Sequence, residues 1–177
     1  LNILDERKFP VARIDVLASR RSLGREVSFG DKTLKIKALE HYDFAQADIA
    51  LFACGSTPTR EFAPKAAAAG CIVIDNSSLF RMEKDIPLIV PEVNVEALAG
   101  YKNRNIIANP NCSTIQMVMV LKPLHDLYKI KRVVVSTYQS VTGTGKVAVD
   151  QLMNERVGKD GEKAYAHTID MNLIPQI

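Results

Sequence analysis

The tetrapeptide Asn109-Pro110-Asn111-Cys112 opens an apolar run that extends from Ser113 to Leu121. Pro110 biases Asn109 toward extended backbone and fixes its own φ, so the pair reads as a strand end that turns sharply. Asn111 is a favourable N-cap, which predicts Cys112 as the first residue of a helix. A thiol in that position meets unpaired backbone N–H groups and the positive end of the helix dipole. Both stabilise negative charge on sulfur, and the thiolate is the nucleophilic form. A small apolar residue at a buried helix start would fit the same local sequence, because free cysteine is among the most buried residue types. Local sequence leaves both readings open.

Three further segments have ligand-binding character. Ser19-Arg20-Arg21-Ser22-Leu23-Gly24-Arg25 directly follows a strand-like segment. In a dinucleotide-binding sheet the second strand ends near the ribose, where an acidic residue suits NAD and an arginine accommodates a 2′-phosphate. Guanidinium groups and hydroxyls, with no carboxylate before Glu26, favour NADP there; a solvated basic turn is the alternative. Cys54-Gly55-Ser56-Thr57-Pro58 ends another strand and enters a helix, with small residues that let backbone approach a cofactor. Thr142-Gly143-Thr144-Gly145-Lys146 looks like a phosphate loop but lacks the required spacing, since Val147 follows the lysine.

These segments sit in an alternating chain. Leu1, Ile3 and Leu4, then Asp5 to Lys8 and Pro10, read as the last turns of a helix, and 13–18 as a strand, with 27–39 a hairpin broken at Gly30-Asp31. The run 48–54 is continuously apolar, the pattern of a parallel strand covered on both faces. Residues 57–69 read as a helix kinked or restarted at Pro64 and stopped by Gly70. Strands follow at 71–75 and 105–108, and then the Cys112 helix. Such alternation predicts a doubly wound α/β sheet. Beyond Lys131, the β-branched run 132–139 predicts a long strand, 146–157 a helix, and 169–177 the entry to another strand. The chain reads as beginning inside one element and ending inside another, as a fragment would.

Composition bounds the partners. Of 177 residues 47% are hydrophobic, enough for a core, and no apolar stretch approaches the ~18 residues of a membrane span. A net charge of +3 is too weak to indicate nucleic acid. Three cysteines and three histidines, without a C-x-x-C, form no metal pattern. Cys54 and Cys71 lie in apolar runs and read as core. Cysteine usage of this kind points to a reducing, cytoplasmic setting.

Taken together, the motifs resemble those of the aspartate-semialdehyde dehydrogenase family. Asn109-Pro110-Asn111-Cys112-Ser113-Thr114 is similar to its nucleophile motif, and residues 137–145 (Thr-Tyr-Gln-Ser-Val-Thr-Gly-Thr-Gly) to its second signature. Residues 75–82 and 90–94 match a third, and 19–24 fit its NADP turn. The resemblance implies a Rossmann-type NADP-binding domain over 1–110 and the first part of an α+β catalytic and dimerisation domain over 111–177. It makes Cys112 the nucleophile that forms an acyl-thioester and Gln139 the group orienting substrate and thioester carbonyl. Asn111 would contact the substrate, and Arg81 would hold the phosphate. Ser19, Arg21 and Ser22 would hold the 2′-phosphate of NADP, with Thr142 and Gly143 lining the nicotinamide side.

The implied reaction converts aspartyl phosphate to aspartate semialdehyde in lysine, threonine and methionine biosynthesis, in a cytoplasmic homodimer with no metal, nucleic acid or membrane partner. The family's Gly-rich pyrophosphate turn is expected before Leu1, and its catalytic histidine and carboxylate-binding arginine after Ile177; His167 is not assigned as the base. An N-acyl-glutamyl-phosphate reductase shares fold and chemistry, but characteristically has Gly before the cysteine. A non-catalytic nucleotide-binding homologue is a third reading, opposed by the presence of both Cys112 and Gln139.

Overall fold

The computed structural model describes residues 1–175. Its contacts separate two compact units, Leu1–Lys129 and Ile130–Ile177.

In the first unit a short helix, α1 (Asn2–Glu6), precedes β1 (Val16–Ala18), β2 (Glu26–Phe29) and β3 (Lys32–Ala38). β2 and β3 form the expected antiparallel hairpin, with Glu26 opposite Lys35 and Phe29 opposite Lys32. β1 joins it parallel to β3, with Val16 opposite Ile36. A second sheet is wholly parallel, in the order β4 (Ile49–Phe52), β5 (Ile72–Asp75), β6 (Ile106–Ala108). The helix α2 (Ser56–Ala68) connects its first two strands, while α3 (Pro91–Asn94) and α4 (Cys112–Tyr128) flank its last.

Packing follows helical periodicity. Thr59, Phe62, Ala63, Ala66 and Ala67 line the buried stripe of α2, at the i, i+3, i+4, i+7 spacing of one helix face. They meet Phe52, Cys71, Val73, Ile106 and Ala108, with Phe44, Phe80 and Ile86 completing the core. The alanines bring the helix axis close to the sheet. α2 runs unbroken through Pro64, which lies on its exposed side. It stops as expected at Gly70, whose φ of +91° suits only glycine. Gly70 N–H donates to the Ala67 carbonyl and Cys71 N–H to that of Ala66, each at 3.1 Å. This paired cap delivers the chain directly into β5.

The α/β class predicted from alternation holds, with four further local departures. β4 is buried on one face only: Phe52 packs on α2, whereas Ile49 and Leu51 are exposed. An apolar strand signals that both faces can be covered, and does not itself supply the cover. Cys54, expected in the core, lies beyond the end of β4 and is exposed. Residues 132–139 form no strand; Val134 and Tyr138 are about four-fifths exposed, at 80% and 81%. β-branched composition favours a pleated surface, but a strand exists only where another backbone completes its ladder. Residues 169–175 likewise form no strand, and the end of that expected segment, 176–177, lies outside the described residues.

The second unit is organised around α5 (Lys146–Arg156), whose N-cap is Gly145. Gln151, only 2% exposed, fastens the following loop. Its Oε1 accepts from the N–H groups of Ala164 and Tyr165 at 2.8 and 2.9 Å. Its Nε2 donates to Glu155 Oε1 at 2.7 Å and contacts the carbonyls of Tyr165 and His167 at 3.3 Å. Glu155 Oε2 then accepts from the N–H groups of Ile169 and Asp170 at 2.8 and 3.0 Å.

Candidate active site

The carboxyl ends of β5 and β6 meet the amino end of α4, and the side chains that join them are mostly amides. Asn111 caps α4 as its sequence predicts: the carboxamide oxygen accepts from Ser113 N–H at 2.9 Å, and its carbonyl accepts from Ile115 N–H at 3.0 Å. Cys112 is therefore the first residue of the helix, and its residue is exposed. The buried-position alternative does not survive: of the cysteines only Cys71 is buried. Burial pushes the Cys71 thiol up, and the charge of Asp48 adds to the effect.

Arg81 lies against the strand end that leads into this cap. Its Nε donates to the Asn109 carbonyl and its Nη2 to the Asn76 carbonyl, both at 3.0 Å. Those bonds engage two of the five guanidinium N–H donors. Asn109 Nδ2 donates in turn to Asn76 Oδ1. The segment after β5 and the segment after β6 are thus stitched together by Arg81, Asn76 and Asn109. Beneath them, the buried Asp75 carboxylate accepts from Ser77 N–H at 2.9 Å and Ser77 Oγ at 2.8 Å.

The basic turn lies at the carboxyl end of β1, on the hairpin sheet. Ser19 caps a single 3-10 turn over Arg20–Ser22, closed by Ser22 N–H donating to the Ser19 carbonyl at 2.9 Å. Arg20 and Arg21 are exposed. Arg20 Nη2 lies 3.0 Å from His41 Nε2, and His41 follows β3, the parallel neighbour of β1. Exposed guanidinium groups and hydroxyls on a tight turn past a parallel strand fit a phosphate monoester.

The remaining predicted residues belong to the second unit. Ser140 caps a 3-10 turn over Val141–Gly143, accepting from Thr142 N–H at 3.3 Å and Thr142 Oγ1 at 3.1 Å. A Cβ added at Gly143 would meet nothing within 4 Å. Gln139, just before this turn, is exposed. Cys112, Asn111 and Arg81 are thus gathered at one edge of the parallel sheet, Ser19, Arg21 and Ser22 at the end of the hairpin sheet, and Gln139, Thr142 and Gly143 around the turn before α5.

Sequence reading missed Asp75, Asn76, Ser77 and Asn109 as individual site residues. Asp-Asn-Ser-Ser directly after an apolar strand is the composition of an Asx turn, which was the available clue. Among the described residues no group of three His, Cys, Asp or Glu could hold a metal, and no helix is long and apolar enough to cross a membrane.

Two family profiles match the chain: the NAD-binding domain of semialdehyde dehydrogenases over residues 1–101, and their dimerisation domain over 121–177. The aspartate-semialdehyde dehydrogenase of Rickettsia conorii is 50% identical over 182 aligned positions, covering all of this chain and 54% of that protein. The chain spans about half the length of the curated relatives it matches. The solved structure of aspartate semialdehyde dehydrogenase II complexed with ASA from Vibrio cholerae aligns with a TM-score of 0.90 at 48% identity, covering 99% of this chain and 54% of that one. That of aspartate semialdehyde dehydrogenase with NADP from Candida albicans aligns at 0.54 and 26%, covering 64% of this chain and 39% of that one. Matches to the NAD-binding domain and then to the dimerisation domain place the chain in the semialdehyde dehydrogenase family.

Proposed function

We propose that the protein catalyses NADP-dependent reductive dephosphorylation of L-aspartyl 4-phosphate to L-aspartate 4-semialdehyde, through a thioester on Cys112. The observation that carries this reading is the exposed Cys112 at the capped start of α4, beside a strand end held by Arg81. The Cys112 thiolate attacks the acyl carbon, the carbon–oxygen bond to phosphate breaks, and phosphate leaves with both bonding electrons. Arg81 receives that anion through guanidinium N–H groups beyond the two bound to backbone. Backbone N–H groups at the start of α4 and the Gln139 amide stabilise the oxyanion, an interaction worth about 3–4 kcal/mol per donor in other enzymes. The Asn111 cap occupies its carboxamide oxygen and leaves the NH₂ group to meet the substrate. The bound cofactor supplies the hydride that reduces the thioester.

Ser19, Arg21 and Ser22 hold the 2′-phosphate of NADP, and Thr142 and Gly143 line the nicotinamide side. NADP rather than NAD is supported by the arginine-bearing turn and by the Candida albicans relative solved with NADP. Residues 1–110 form the cofactor domain and 111–177 the first part of the catalytic and dimerisation domain, in a cytoplasmic homodimer serving lysine, threonine and methionine biosynthesis. The names of the relatives favour the aspartyl over the glutamyl substrate.

The test uses the full-length protein. With aspartate semialdehyde and NADP but no phosphate, mass spectrometry should find the aspartyl adduct on the Cys112 peptide. Cys112→Ser should lower kcat on the order of 10³-fold or more without changing the melting temperature. An adduct on Cys54, or wild-type turnover in the serine variant, would refute the assignment.

A further inference from the structure

We propose that Asp75 is a positioning residue for phosphate, acting through Arg81 rather than by touching the anion; this rests on the role given to Arg81 above. Asp75 is fully buried at the last position of β5, and no cation forms an ion pair with it among the described residues. A buried carboxylate is costly unless hydrogen bonds satisfy it, and here the two shortest shape the loop that follows β5. Oδ1 takes Ser77 N–H and Oδ2 takes Ser77 Oγ, at 2.9 and 2.8 Å. Ser77 Oγ then accepts from Leu79 N–H at 3.2 Å. The Thr59 hydroxyl lies 3.4 Å from Oδ1, although its shorter bond, 2.8 Å, goes to the Gly55 carbonyl.

This clasp fixes the peptide between Asp75 and Ser77, whose Asn76 carbonyl is one of the two acceptors holding Arg81. The other acceptor is the Asn109 carbonyl, and the Asp75 main chain sets that as well: its carbonyl accepts from Asn109 N–H at 2.8 Å. Both anchors of the guanidinium therefore lead back to one residue. Asn109 is also three positions before Cys112, so the same clasp fixes Arg81 relative to the nucleophile. A solvated arginine would need no such foundation; an arginine that must meet a departing phosphate at a defined distance from a sulfur does.

The test is a double-mutant cycle in the full-length protein, read by a measurement that does not depend on turnover. Inorganic phosphate should protect Cys112 from iodoacetamide, and Arg81→Ala should raise the half-protecting concentration on the order of 100-fold while leaving it measurable. Asp75→Asn, nearly identical in shape, should raise the half-protecting phosphate concentration roughly tenfold, the effect of losing about one hydrogen bond's worth of positioning. It should leave the half-saturating NADP concentration within about twofold. In an Arg81→Ala background, Asp75→Asn should have no further effect. Ser77→Ala, which keeps the carboxylate, should reproduce the direction of change if Asp75→Asn fails to fold. Additive effects of Asp75 and Arg81 variants, equal weakening of phosphate and NADP, or no phosphate protection of the wild type would each overturn the proposal. Turnover is assayed separately: Arg81-dependent protection without semialdehyde oxidation would refute the proposed reaction and leave the role of Asp75 standing.

Discussion

Arg21 is exposed on a one-turn 3-10 segment and makes no side-chain hydrogen bond or ion pair among the described residues, so its replacement should not disturb the fold. NADP and NAD differ only in the 2′-phosphate, which makes the ratio of their KM values a direct readout of that contact. A hydrogen bond to a charged group contributes about 1.5–3 kcal/mol, and Arg21→Glu replaces attraction by repulsion. The KM for NADP should therefore rise by about 10- to 100-fold, with that for NAD within about threefold; equal loss of both would make Arg21 a structural residue. At this scale, legibility in the sequence tracked how local the cause was. The capped position of Cys112 depends on neighbours within two residues, and it was readable. The exposure of Cys54 depends on what covers the end of β4, and it was not. The bonds that tie Arg81 and Asp75 to Asn109 span 28 and 34 positions along the chain (81 to 109, 75 to 109), a distance that no motif reading covers.

Elements were legible where their ends carry chemistry. Gly70 stops α2 and Asn111 starts α4, and each end sits where its cap predicts. The run 132–139 failed because strand formation is decided by a partner backbone, while helix formation is decided within the segment. Gln151 is the opposite lesson: a polar residue in the middle of α5 looks like a solvated position, yet it is buried and substitutes for an apolar core. Replacing it with leucine removes the acceptor for Ala164 and Tyr165 N–H and the donor to Glu155 at once. Both amides are part-buried, so leaving each without its acceptor costs about 1 kcal/mol. Gln151→Leu should therefore destabilise this unit by about 2–4 kcal/mol. It should also speed hydrogen exchange at the Ala164 and Tyr165 amides well before any change at α2. Unchanged protection at those two amides would mean that the loop is held by something other than Gln151.

Across the whole molecule, stability should fall below about pH 5 because both units contain a carboxylate whose folded-state surroundings favour its charged form. In the first unit, burial alone would push Asp15 up. Hydrogen bonds from Lys37 at 2.6 Å and Tyr42 at 2.8 Å, with the charges of Lys37 and Arg13, outweigh it and hold the carboxyl below its ordinary value. In the second, the hydrogen bond from Gln151 does most to lower Glu155, against a smaller opposing effect of burial, and the Asp170 and Ile169 N–H groups add to the lowering. Asp126, lowered by its hydrogen bond from Lys122 four residues earlier on α4, is exposed, and such pairs contribute little. For a group with a lowered folded-state pKa, the unfolded chain binds protons more readily. Its contribution is complete above the unfolded value of about 4 and disappears as pH falls through the folded one. The melting temperature should thus be flat from about pH 7 to 5 and drop below that. Asp15→Asn should lower it at pH 7 by roughly 2–4 °C and make the acid limb shallower, because the variant has no proton to gain at that site. A variant that keeps the full acid limb would show that Asp15 is not among the carboxylates whose protonation unfolds the protein.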